Sequence, residues 1–243
     1  MEMNRDLAVK VLSVVDAGLV SGLGEAVPGK MCVEAAVCYA MGLPHSDEPT
    51  CVGAAVRIAK IRLNDSRWPT PEDRAKGMRK LAIAQLGSDT IDQMAFAKGF
   101  GLACNRKVLP IALRIASVRG GPFAEELEAA AKVCESAPDF EESKAATLAA
   151  REVTKKARAY AYAYANAYAN ANAYANANAY ADANAYADAY ANADANANAD
   201  ANANADANAK TVRLQMLNAV ADAMLGVLID LKSPGCEFLD LCE

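Results

Sequence analysis

Residues 139–225 contain neither glycine nor proline, the two residues that most readily end or bend a regular element. One helix over that interval would be about 130 Å long at 1.5 Å per residue. Globular helices stop well short of that, so the interval predicts a rod or a helical hairpin. Inside it, residues 168–209 read YANANAYANANAYADANAYADAYANADANANADANANADANA. Alanine fills every odd position, and only Tyr, Asn or Asp fills the even ones.

The alternation matches the pleat of a strand, yet Ala, Asn and Asp are all depleted in strands. A single strand over residues 157–209 would reach about 175 Å. A period of six is also present: Asp182, Asp188, Asp194, Asp200 and Asp206, with Tyr168, Tyr174, Tyr180 and Tyr186. Hexapeptide solenoids point larger aliphatics inward, and this segment has none. An ice-binding helix needs regularly spaced threonines, which are also missing. As a helix, the mean propensity cost is about 0.3 kcal/mol per residue, an ordinary value. Tyr160, Tyr164, Tyr168, Tyr174, Tyr186 and Tyr190 share one half-circle at 100° per residue. The pattern predicts helix in the first half and a helical or frayed second half. Asparagine could reverse the chain by adopting the left-handed conformation. A spacer is the simplest role for such a segment.

The flanking sequence is punctuated like a set of helices. MNRDLAVKVLSVVDAG places Leu7, Val11, Val14 and Val15 on one stripe that ends near Gly18. GKMCVEAAVCYAMG stops at Gly42, and Thr50 is the expected N-cap of the helix after it. Thr70, Pro71, Glu72 and Asp73 form the clearest start signal in the chain, with Gly87 as the stop. Residues 89–118 read as one helix or two, interrupted around Asn105 and Pro110, and residues 122–135 as another. TVRLQMLNAVADAMLGVLIDLK is amphipathic through Leu217, Val220, Met224, Leu228 and Leu231, and it stops at Ser233-Pro234-Gly235. No run has the period-2 pattern of a Val-, Ile- or Thr-rich strand. The expected fold is all-α: a helical bundle over 1–136, an Ala-rich helix or hairpin over 137–209, and an amphipathic C-terminal helix over 210–243 packing back on the bundle.

The net charge of −5 is unevenly spread. Residues 158–209 carry Arg158 against five aspartates, whereas residues 1–157 are close to neutral. No global charge argument for nucleic acid or membranes follows. The N-terminus lacks a signal-peptide pattern, and no run reaches the roughly 18 consecutive apolar residues of a membrane span. Seven cysteines, an odd number set inside helical patterns, suit reduced thiols in the cytoplasm.

Reactive side chains are densest in GKMCVEAAVCYAMGLPHSDEPTCV. Cys32 stands at a helix N-terminus, the place for a lowered thiol pKa. The single histidine, His45, follows the far end of that helix, roughly 15–20 Å away by helical rise. A Cys–His dyad is therefore geometrically poor. Cys32, Cys38, His45 and Cys51 are spaced by 6, 7 and 6, which is not a zinc-knuckle pattern. No P-loop, no G-x-G-x-x-G after a strand and no G-x-S-x-G occurs. No catalytic residue, metal or cofactor is expected, with a thiol or metal protein using Cys32, His45 and Cys51 as one alternative. The polar residues Lys30, Glu34, His45 and Asp47 are the expected binding surface.

Residues 57–80 carry Arg57, Lys60, Arg62, Arg67, Arg74, Lys76, Arg79 and Lys80 against Asp65, Glu72 and Asp73. Arg57, Lys60, Arg62, Arg74, Arg79 and Lys80, around an exposed Trp68, form a candidate phosphate-binding face. The plain alternative is a solvated face, or one neutralised by the acidic repeat.

GKMCVEAAVCYAMGLPH, IRLNDSRW, GMRKLAIAQLGS and LIDLKSPGCEFLDL resemble an uncharacterised family from phages and bacteria. In that family an Ala-rich, Tyr/Asp-studded segment separates a helical N-terminal part from such an ending. RKVLPIALRIA followed by LEAAAKVCE more loosely resembles Imm-5-like helical proteins, a group named for toxin immunity. The resemblance implies a helical segment packed as part of the fold, and the family carries no activity to transfer to this chain. The resulting expectation is a non-catalytic helical interaction protein with a protein partner and no membrane association. Nucleic-acid binding through residues 57–80 is the alternative.

Overall fold

A computed structural model describes residues 3–119, 121–163 and 203–243. These residues form nine α-helices: α1 Arg5–Asp16, α2 Val33–Ala40, α3 Ala54–Asp65, α4 Pro71–Ala84, α5 Gln93–Lys107, α6 Leu109–Arg119, α7 Ala124–Ser136, α8 Phe140–Ala163 and α9 Ala203–Asp230. Among the described residues there is no strand, only an isolated antiparallel bridge between Gly24 and Met31. The protein is all-α. Helix runs to Ala163 and is present again from Ala203. The rod-or-hairpin question over residues 164–202, with most of the tyrosine stripe, lies outside the described residues.

Local signals explain most helix ends. Asn4 caps α1 by accepting from the Leu7 amide at 2.9 Å, and Leu7, Val11, Val14 and Val15 are all buried. Thr70 caps α4 through the Asp73 amide at 3.0 Å, with Pro71 at the first helical position. The expected cap at Thr50 is a correction. Thr50 lies in the turn closed by the Val52 amide and the Pro49 carbonyl, and α3 begins only after Gly53. Gly53 has no capping side chain, so the cap is tertiary: Gln93 Oε1 accepts from the Ala55 amide at 3.1 Å, and Ser88 Oγ from the Gly53 amide at 3.1 Å. The break within residues 89–118 falls at Val108, and Pro110 enters the first turn of α6, where a missing amide is harmless.

The chain divides into two compact units, Met1–Ala97 with Met224–Glu243, and Lys98–Ala223. In the first, α1 packs on α2 and α4, α2 on α3, and the short 3₁₀ segment Pro234–Cys242 on α4 and α1. α9 ends with Lys232 in the left-handed region, φ 55°. The Ser233 amide reaches the Leu228 carbonyl and the Lys232 amide the Ile229 carbonyl, both at 2.9 Å, a Schellman ending. Ser233 Oγ then donates to the Ala84 carbonyl at 2.6 Å, and the Gly235 amide to the Leu86 carbonyl at 2.7 Å. A Cβ at Gly235 would collide with the Ile83 carbonyl, so only glycine permits this approach.

In the second unit α7 packs between α6 and α8. Leu113, Leu127, Ala131, Cys134, Ala146 and Ala150 are buried there. Arg106 ends α7 by donating to the carbonyls of Ala137 and Pro138 at 2.6 and 2.7 Å. Within this unit the Thr147 hydroxyl lies 2.6 Å from Asn105 Oδ1 and 2.9 Å from the Ser143 carbonyl, and Asn105 Nδ2 reaches the Cys134 carbonyl at 3.5 Å.

By length and mean hydropathy, the stretch Ala209–Asp230 could cross a membrane. Its Leu217, Val220, Met224 and Leu228 are buried inside the protein.

Candidate functional site

Between α1 and α2 the 19–31 loop folds onto itself. The Val20 amide donates to the Met31 carbonyl at 3.1 Å, Glu25 to Lys30 at 2.7 Å, Lys30 to Val27 at 2.9 Å, and Cys32 to Leu23 at 3.2 Å. Gly24 has φ 71°, and a Cβ there would run into the Lys30 carbonyl. The sequence therefore needs glycine at this bend.

The last turn of α3 and the first part of α4 hold the loop in place. Asn64 Nδ2 donates to the Val20 carbonyl at 2.8 Å, while Asn64 Oδ1 accepts from the Val33 amide at 3.3 Å. Asp65 Oδ1 accepts from the Gly22 amide at 2.6 Å. Arg74 donates to the carbonyls of Asn64 and Leu19 at 2.8 and 3.2 Å. Held this way, the loop still shows apolar side chains to water: Leu23 is 40% exposed and Val27 46%.

Of the four expected binding residues, the structure brings Lys30 and His45 to this loop. Lys30 is exposed and lies 3.4 Å from Glu25, and His45 Nε2 lies 3.1 Å from the Gly24 carbonyl oxygen. His45 thus engages the 19–31 loop. Asp47 is half-buried, and its charge reaches Glu34 and Cys38. Glu34 is fully buried beside an equally buried Lys60, with Nζ 3.2 Å from Oε1. The contact is close enough for an ion pair, yet neither carboxylate oxygen nor the ammonium has an aligned hydrogen bond. Burial pushes the Glu34 carboxyl up and the Lys60 ammonium down, each against the attraction of the other.

Four cations of the basic stretch, Arg57, Lys60, Arg74 and Arg79, are spent on structure. Arg57 pairs with Glu48, Lys60 with Glu34, and Arg79 with Asp16 at 2.8 Å. Arg74 serves loop carbonyls, and Arg62 is half-buried, its carbonyl accepting the Ser66 hydroxyl at 2.9 Å. Lys76 and Lys80 are exposed on α4. Trp68, expected to be exposed, is buried at 6%, its Nε1 donating to the Leu63 carbonyl at 2.8 Å. These residues do not assemble into one open cationic face.

Five of the thiols, Cys32, Cys38, Cys51, Cys104 and Cys134, are buried. Cys32 is the N-cap of α2, where its Sγ accepts from the Ala35 amide at 3.4 Å. The helix terminus would lower its pKa, but burial outweighs that and pushes it up. Burial also raises Cys51, raises Cys38 to about 11, and raises Cys134 to about 12. Among the described residues no three His, Cys, Asp or Glu side chains are grouped to hold a metal.

Sequence reasoning missed Asn64, Asp65 and Arg74 as loop anchors, because their partners are backbone atoms far along the chain. Glu34, expected on a binding surface, is the one charge in the otherwise apolar α2 helix VEAAVCYA, a signal of its burial. Residues 24–30 also spell G-x-x-x-x-G-K, the spacing of a phosphate-cradling loop. Met31 stands where that motif has a hydroxyl, no strand precedes it among the described residues, and the amides of Glu25, Lys30 and Cys32 are used within the loop. The chain has no match among protein-family models, curated proteins or solved structures.

Proposed function

We propose that this is a non-catalytic helical interaction protein whose recognition surface is the 19–31 loop. One observation carries the reading: the loop is fixed from below by Asn64, Asp65 and Arg74, yet Leu23 and Val27 face solvent. A loop already held in shape loses little entropy on binding, and exposed aliphatics supply the contact area. Lys30, Glu25 and His45 add a polar rim suited to a protein partner. The immunity-type setting is one instance, in which that partner is a toxin. Free cysteines throughout, most of them buried, favour a reducing compartment such as the cytoplasm. The raised thiols count against a nucleophilic role.

The test compares affinity capture by the full chain with capture by a Leu23→Asp/Val27→Asp variant of unchanged helical content. A partner held by the surface should bind the variant about tenfold more weakly, or worse. Identical partners at identical affinity would rule the loop out.

A further inference from the structure

Lys60 and Glu34 are both at 0% exposure and meet at a single 3.2 Å contact between Nζ and Oε1, with no further protein group aligned to bond either of them. Burying an ion costs several kcal/mol, and attraction in the interior compensates only when further hydrogen bonds complete the geometry. Here the protein supplies a single 3.2 Å contact. In water, at neutral pH, both groups are ionised and fully hydrated, so any local opening that wets them relieves the cost. The pair therefore works against the contact it sits in.

The opening would have a defined route. Lys60 and Asn64 stand one turn apart on α3, on the same face. Asn64 is the residue that grips the Val33 amide at the start of α2 and the Val20 carbonyl of the loop. Parting α2 from α3 breaks those bonds together with the ion pair. By contrast, the C-terminal segment is fixed to α4 through the Ala84 and Leu86 carbonyls, which this parting leaves alone.

We propose that the α2–α3 junction is a spring-loaded hinge: the buried Glu34–Lys60 pair makes it the first part of its unit to open, releasing Val33 and Val20 from Asn64 while α1, α4 and the C-terminal segment stay folded and Arg74 keeps its hold on Leu19. The inference concerns the junction itself and stands whether or not the loop binds a partner.

The pH dependence follows from what surrounds the pair. Arg57 on α3 favours the Glu34 carboxylate, and Asp47 opposes it. The thiols of Cys32 and Cys51 act on Lys60, and Cys38 shares the field of Glu34. No charged residue of α1 or α4, which also pack on α2, is buried. Because closure raises Glu34, the closed form keeps a proton that the open form releases above the ordinary carboxylate range, so acidification favours closure. Because closure lowers Lys60, the closed form has lost a proton that the open form keeps up to the ordinary lysine range, so alkalinity also favours closure. Opening is greatest between the two.

Residue-level amide exchange on the full chain tests this. In the wild type, α2 and the 19–31 loop should exchange about tenfold or more faster than α1 and α4. The Glu34→Leu/Lys60→Met variant should raise α2 protection by about tenfold or more, since an apolar pair of similar size removes the desolvation cost. A folded double variant with lower α2 protection would overturn the proposal, as would α2 exchanging in step with α1 and α4. Should the double variant not fold, the wild type decides by itself. Corrected for intrinsic rates, α2 protection should be lowest near neutral pH, and a maximum there would overturn the hinge.

Discussion

Two interiors of this protein handle buried polarity in opposite ways. In the α5–α8 region, Asn105 and Thr147 are at most 8% exposed, and their side chains meet each other or the backbone carbonyls of Cys134 and Ser143 within 3.5 Å. Their groups are neutral, so desolvation is modest and hydrogen bonds repay it. In the α2–α3 region the buried groups are an acid and a base, Glu34 and Lys60, joined by a single 3.2 Å contact, and burial disfavours the charged form of each. Similar burial thus gives a cross-brace in one place and a weak junction in the other. Buried polar groups support a fold only when their bonding is complete.

The sharpest way to break the comparison is to remove half of the charged pair. Lys60→Met should destabilise the protein by about 3–5 kcal/mol, because Glu34 is left as an uncompensated buried acid. Adding Glu34→Leu should recover most of that loss. Denaturant melts of the two variants check both statements, and a double variant no better than the single would mean that the pair supports the fold.

The neutral cluster should respond less. Thr147→Val keeps the volume and leaves Asn105 Oδ1 without its donor, for a loss of about 1–3 kcal/mol. An unchanged midpoint would show that water replaces the hydroxyl at no cost.

The smallest effect should come from a site in neither network. Lys232 occupies the left-handed position that closes α9, and Lys232→Gly should stabilise by about 0.5–1 kcal/mol as the backbone strain is relieved. A thermal melt shifted downward instead would show that the Lys232 side chain contributes more than its strain costs.

Much of the fold was legible along the chain. Thr70-Pro71 and Gly42 marked helix ends correctly because capping acts over three or four residues. The stripes on α1 and α9 likewise marked their buried faces, Leu7 to Val15 and Leu217 to Leu228. Thr50 misled because the cap of α3 comes from Gln93, in another helix. The site was half legible: Lys30 and His45 do meet at one loop, but Glu34 and Lys60, expected on surfaces, face each other in the core.

By itself, the sequence determined the helical class, most helix ends and the apolar stripes, since each depends on neighbours within one or two turns. Only the tertiary structure decided which charges are spent. Composition shows a basic stretch at residues 57–80, whereas packing gives Arg57, Lys60, Arg74 and Arg79 separate partners between 9 and 162 residues away. Charge is a property of a residue, but its availability is set by what the fold brings within hydrogen-bonding distance and what it withdraws from water.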